Sequence, residues 1–169
     1  GVYDIEIQSD GKILIGGRFL RFNGVSRNNV ARLEVDGTLD TTYDDNTVLP
    51  PVLTVVDLEL LSDEKVVVGI SFANNPLSVR KFNGDGTPDL SFAPFLNWQG
   101  LVRMTLAQPD GKILIGGLFP YVNGIKRNGI ARLNPDGSVD PTFVPFFNVT
   151  VFGKDINAIA LQPDGKILI

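Results

Sequence analysis

The 169-residue sequence contains no cysteine and no histidine. Without cysteine there is no disulfide framework, no thiolate-bound metal and no redox chemistry through sulfur. Without histidine the usual general base at neutral pH, the commonest zinc ligand and the imidazole of a serine or cysteine triad are all missing, which weighs against hydrolase chemistry. Positive charge is also scarce. Fifteen Lys and Arg stand against nineteen Asp and Glu, a net charge of −4, with no basic stripe to follow a phosphate backbone, so no nucleic-acid partner is expected. No apolar stretch approaches the roughly 20 residues of a membrane helix, so no membrane insertion is expected. The start, Gly1-Val2-Tyr3, lacks an initiator methionine, a basic n-region and an apolar h-region, which leads us to expect a segment from inside a longer chain.

What is present is apolar and finely punctuated. Hydrophobic residues make up 43% of the chain and charged ones 20%, enough to build a packed core. Eighteen glycines and eleven prolines separate short apolar runs, a pattern that favours many short strands joined by tight turns. An all-β fold follows.

Self-similarity decides the architecture. Asp10-Gly11-Lys12-Ile13-Leu14-Ile15-Gly16-Gly17 recurs as Asp110-Gly111-Lys112-Ile113-Leu114-Ile115-Gly116-Gly117 and begins again at Asp164-Gly165-Lys166-Ile167-Leu168-Ile169. A degenerate copy, Asp63-Glu64-Lys65-Val66-Val67-Val68-Gly69, lies between, so units begin at intervals of 53, 47 and 54 residues. A second signature follows each of the first three. It reads Arg32-Leu33, Asp36-Gly37-Thr38, Asp40 and Tyr43; then Lys81-Phe82, Asp85-Gly86-Thr87, Asp89 and Phe92; then Arg132-Leu133, Asp136-Gly137-Ser138, Asp140 and Phe143.

Within a unit, an apolar-rich segment (Val2 to Gln8), an Asp-Gly turn, an apolar run ending in paired glycines, a loop, a further run (Val30 to Val35), a second Asp-Gly turn and a short last segment imply four strands. Asp-Gly and Asn-Gly between apolar runs are strong hairpin signals because they tolerate the positive φ of primed turns. Four antiparallel strands at a period near 50 describe propeller blades. The expected boundaries are 1–51, 52–100 and 101–155, with the start of a fourth blade at 156–169. On the first strand Ile5, Ile7, Leu58 and Leu60 occupy one phase and Met104 and Leu106 the other. Blades buried on both faces tolerate that switch.

The run Ile159-Ala160-Leu161-Gln162-Pro163-Asp164-Gly165-Lys166-Ile167-Leu168-Ile169, with Gly116-Gly117, Asn123-Gly124, Ile130 to Asp140 and Phe143 in the complete copy, resembles the delta-60 repeat, a propeller-forming domain of uncharacterised function. The second unit departs from it at Glu64, at Ile70 after a single Gly69, and at Lys81. The resemblance implies a setting in large bacterial surface or secreted proteins or in phage structural proteins, and brings no catalytic residues. A closed propeller needs about four to eight blades, so three blades and a fragment imply that further chain, or further copies, completes the ring.

Each candidate site has two readings. The Asp-Gly turns with Asp40, Asp89 and Asp140 suit hairpin capping or, alternatively, Ca²⁺, with Asp44-Asp45-Asn46 as the local exception. Arg32, Lys81 and Arg132 suit a repeated ion pair with the following acid or the next blade, in preference to a ligand. The loops from Arg18 to Asn29 and from Leu118 to Asn128 differ between units and are expected on the same edge of successive blades. They make Arg18, Arg21, Phe22, Tyr121, Lys126 and Arg127 a candidate binding surface for a protein or glycan ligand. Trp98 belongs to that surface, and Trp98 and Phe146-Phe147 are either stacking platforms or interblade core. Asn148-Val149-Thr150 matches a glycosylation acceptor at the level of chance.

The expectation is a non-catalytic binding or structural-assembly module, with no catalytic, cofactor or metal residues, in an extracellular or cell-surface bacterial protein or a phage tail or fibre. The alternative is a carbohydrate-active enzyme, a glycoside hydrolase or lyase, working with a carboxylate pair at the propeller mouth.

Overall fold

Every repeat opens with a strand, a tight turn and a second strand, and the turn chemistry explains why. The computed structural model describes residues 1–43, 49, 52–71, 79–96, 100–145 and 155–169. In the first turn the Asp10 carboxylate accepts from the Lys12 backbone N–H at 3.0 Å while Gly11 takes φ +85°. Asp63, Asp110 and Asp164 accept from Lys65, Lys112 and Lys166 in the same way. Glu64 stands where the other units have glycine and still adopts φ +63°, so the second hairpin keeps its geometry under backbone strain.

The first blade pairs β1 (Val2–Ile7), β2 (Ile13–Gly17) and β5 (Val30–Leu33) in the order β1-β2-β5, with the small hairpin β3 (Arg21–Phe22) and β4 (Val25–Ser26) inserted after β2. The second blade pairs β6 (Thr54–Leu60), β7 (Val66–Ser71) and β8 (Val79–Phe82). The third pairs β9 (Leu101–Ala107), β10 (Ile113–Leu118) and β13 (Ile130–Leu133), with the hairpin β11 (Tyr121–Val122) and β12 (Ile125–Lys126). A fourth begins with β14 (Ala160–Leu161) and β15 (Ile167–Leu168). All pairings are antiparallel, and no helix occurs among the described residues. The fourth strand of each full blade is a single antiparallel bridge after the second Asp-Gly turn: Leu33 with Leu39, Phe82 with Pro88 and Leu133 with Val139.

Opposed residues in a ladder share a face, so the register sorts each blade into two faces. In blade 1, Ile5, Ile7, Ile13, Ile15, Ala31 and Leu33 share one face, and Asp4, Glu6, Leu14, Gly16, Val30 and Arg32 the other. Leu14 and Val30 join Leu58, Val66, Val68 and Phe82 of blade 2 in one core cluster. Val67 and Val79, from the opposite face of blade 2, join Ile113, Ile115, Ala131 and Leu133 of blade 3. Leu114 and Ile130 of blade 3 then meet Ile156, Ile159 and Ile167 of blade 4. Each fully buried aliphatic side chain stabilises this stack by roughly 1.5–3 kcal/mol.

The first glycine of each pair belongs to this packing. A Cβ on Gly16 would lie 2.7 Å from Val55 and 2.9 Å from Leu58 of the next blade, and one on Gly116 would lie 2.9 Å from Ile159. Glycine lets the neighbouring sheet approach to contact distance there. Blade 1 shows the opposite face uncovered: Ile5 and Ile7 are 56% and 65% exposed, whereas Leu58, the counterpart of Ile5, is 1% exposed.

Candidate functional site

The second signature builds one polar module three times. In blade 1 the Asp40 carboxylate, whose side chain is 1% exposed, accepts from Lys12 Nζ at 2.7 Å and Arg32 Nε at 2.8 Å. Its other oxygen accepts from the Thr42 backbone N–H and hydroxyl. Arg32 lies over the Tyr43 ring at 4.7 Å and reaches the Gly84 carbonyl of the next blade at 2.6 Å. In blade 2, Lys65 and Lys81 hold Asp89, Lys81 lies over Phe92, and Lys81 Nζ reaches the Pro135 carbonyl of blade 3. In blade 3, Lys112 and Arg132 hold Asp140 and Arg132 lies over Phe143.

All three aspartates are held well below the usual carboxylate range. For Asp40, burial opposes the shift and the bonds from Lys12, Thr42 and Arg32 outweigh it. The Ser91 hydroxyl acts most strongly on Asp89, and Lys112 on Asp140. Oxygens engaged in this way leave little for Ca²⁺, and among the described residues no group of three or more acidic side chains is placed to hold a metal ion. The candidate Asp44-Asp45-Asn46 lies outside the described residues.

A second polar feature escaped the sequence reading. Strands β1, β6 and β9 lie side by side, one from each blade. Asp4 and Glu6 on β1 and Asp57 and Glu59 on β6 form a ladder of four carboxylates. Asp4 Oδ2 accepts from the Leu58 backbone N–H at 2.7 Å, and Asp57 Oδ2 accepts from the Thr105 backbone N–H and hydroxyl. Glu59 Oε1 accepts from the Ala107 N–H at 2.9 Å. Each of these bonds joins the first strand of one blade to the first strand of the next.

Burial pushes Asp57 up to about 6, against the Thr105 bonds and with help from the Asp4 charge. Burial also pushes Glu59 up to about 7, with the Glu6, Asp57 and Asp4 charges adding to it. Glu6 is raised by burial and by Asp4 and Asp57. The ladder stops at blade 3, where Met104 and Leu106 occupy the matching positions and pack on the fourth blade. Residues that break the repeat were the signal for it.

Of the proposed binding surface, Arg18, Arg21 and Phe22 lie on blade 1 and Tyr121, Lys126 and Arg127 on blade 3, with blade 2 packed between those blades. Arg18 is exposed; Arg21 is exposed and donates to the Gly24 carbonyl of its own hairpin. Phe22 is half-buried against Ile15, Ala31 and Leu33. Tyr121 and Lys126 are opposed and exposed across β11 and β12. Arg127 is partly buried and donates to the Lys126 and Asp140 carbonyls. Trp98 and Phe146-Phe147 lie outside the described residues, as does Asn148-Val149-Thr150.

A family described as a domain of unknown function (DUF5122) beta-propeller matches residues 8–43 and 108–143, the stretches that carry both signatures in the first and third units. The chain is a segment of a β-propeller. The propeller segment is also similar to the crystal structure of the extracellular domain of a B. thetaiotaomicron protein named as a one component system, BT4673. That likeness has a TM-score of 0.51 at 15% identity and covers 98% of this chain and 20% of the other. At that identity the likeness concerns the fold, and the segment spans about a fifth of that chain's length. No curated protein matches the sequence. No helix among the described residues is long and apolar enough to cross a membrane.

Proposed function

We propose that this propeller segment is a non-catalytic module of the delta-60 type, serving binding or structural assembly in a bacterial surface or secreted protein. The observation that carries this reading is the use of the recurring charges. Asp40, Asp89 and Asp140 each hold two cations, and Arg32 and Lys81 extend those pairs to the next blade. Charged groups engaged in this way organise the stack and are not free to meet a substrate. The extracellular setting is supported by the resemblance to surface-protein repeats and by a structural neighbour that is itself an extracellular domain.

The carboxylate ladder makes the glycan-enzyme alternative concrete, because an acid raised to about 7 beside other carboxylates is what glycoside chemistry asks for. The test is to incubate the protein with a panel of polysaccharides at pH 5–7 and read reducing ends and unsaturated uronides. The module reading predicts no release above blank. Products that disappear in both Glu6→Gln and Glu59→Gln would establish the enzyme instead.

A further inference from the structure

The β11–β12 hairpin of blade 3 holds an extended segment arriving from blade 2. The Phe95 backbone N–H donates to Asn123 Oδ1 at 2.6 Å, and the Asn123 N–H donates to the Phe95 carbonyl at 2.7 Å. Leu96 forms a β-bridge with Val122, and both are fully buried together with Phe119. Asn123 Nδ2 closes the site by donating to the Gly137 carbonyl at 3.1 Å, and the backbone of Ala93 and Pro94 lies against Gly137. The captured segment is Phe92-Ala93-Pro94-Phe95-Leu96.

Blade 1 carries the same device, and among the described residues nothing occupies it. Phe19, Asn23, Gly24 and Gly37 match Phe119, Asn123, Gly124 and Gly137. Asn23 and Gly24 have φ +46° and +83°, against +50° and +75° for Asn123 and Gly124, so the hairpin is already set. Phe22 is only half-buried where Val122 is fully buried, a Cβ on Gly37 would meet nothing within 4 Å, and Asn23 makes no hydrogen bond among the described residues. The exposed Ile5 and Ile7 continue the same uncovered face.

We propose that the β3–β4 hairpin is a preformed docking site for an extended Phe-X-Pro-Phe-Leu strand supplied by a further blade of this repeat. Asn23 would clamp the residue before the leucine through both of its backbone groups, and the leucine would bridge Phe22 and fill the pocket above Phe19. Proline limits the conformations lost on docking, and the two-point backbone clamp is the strand-addition mode of peptide capture. Phe143-Val144-Pro145-Phe146-Phe147 repeats the first four positions at the same place in the third unit with Phe147 for the leucine, whereas the first unit has Tyr43-Asp44-Asp45-Asn46-Thr47 there. The proposal rests on the reading of the chain as a propeller segment.

The test is an NMR titration of the protein with a synthetic peptide of residues 89–96, carried to about 1 mM and beyond, where weak single-strand docking is measurable. The expected result is saturable shifts at the Asn23 side-chain amide, Gly24 and Gly37. Asn23→Gly keeps the turn and removes the carboxamide, and it should weaken binding roughly tenfold, as should alanine at the peptide's leucine. No saturable shift, or shifts centred away from this hairpin, would overturn the proposal while leaving the propeller segment intact. The same spectra report Asn123, whose side-chain amide should exchange slowly with solvent. Exchange as fast as that of Asn23 would remove the segment reading itself, and this proposal with it.

Discussion

Asp57 Oδ2 accepts two hydrogen bonds from Thr105, the backbone N–H at 2.5 Å and the hydroxyl at 2.7 Å, and thereby ties the first strand of blade 2 to that of blade 3. Both bonds favour the ionised carboxylate, yet burial prevails and the group titrates near 6, with Glu59 near 7. An acid whose folded pKa lies above its unfolded value binds protons more tightly when folded, so stability falls as pH rises between those values. Thermal stability should therefore increase when pH is lowered from 8 to 5, by roughly 1–3 kcal/mol after allowing for solvent screening of partly exposed groups. The double variant Asp57→Asn, Glu59→Gln should flatten the profile over that range. A wild-type melting temperature independent of pH between 5 and 8 would contradict the ladder's energetics.

The three module aspartates act in the opposite direction. Their folded pKa values are depressed, so the stability they contribute is present above pH 4 and is lost as pH falls below it. Asp40→Ala removes the partner of both Lys12 and Arg32 and should cost on the order of 2–4 kcal/mol by urea unfolding at pH 7. The cost should shrink as the wild type is itself titrated toward pH 2.

Gly37 and Gly137 share a backbone conformation, φ +82° and +83°, but not their surroundings. A Cβ on Gly137 would lie 2.9 Å from Pro94, whereas on Gly37 it would meet open space. Alanine at either position pays the same left-handed cost of about 1 kcal/mol. Gly137→Ala should lose at least about 1 kcal/mol more, because it also displaces the docked connector. Equal losses in the two variants would mean that residues 93–94 do not lie against this turn.

Glu64 holds φ +63° in a turn where its counterparts are glycine. Glu64→Gly should raise stability by about 0.5–1 kcal/mol, since its one long hydrogen bond, from Gln8 at 3.4 Å, offers little in return. A lower urea midpoint in this variant would show that the glutamate side chain matters more than the strain.

Much of the fold was legible because turn chemistry, strand period and repeat length agree at each copy. The Asp-Gly turns located the hairpins, and the shared positions of Arg32, Lys81 and Arg132 pointed to the ion pairs. The final strand was harder to read, because Leu39, Pro88 and Val139 each contribute one bridge and no alternating run. Asn23-Gly24 and Asn123-Gly124 carried a hairpin signal inside segments treated as loops. The carboxylate ladder was not legible because Asp4 and Glu6 lie far in sequence from Asp57 and Glu59, and only the packing of β1 against β6 brings them together.

The central claim is that successive repeats stack face to face as propeller blades, and the glycines at the blade junctions report it directly. NOE spectroscopy on methyl-labelled protein should connect the Gly16 Hα protons to the methyls of Val55 and Leu58, those of Gly69 to Val102, and those of Gly116 to Ile156 and Ile159. All three junctions should show the same pattern at similar intensity. Glycine protons that see only residues of their own sheet would contradict the stack, and with it the assignment of these repeats to blades.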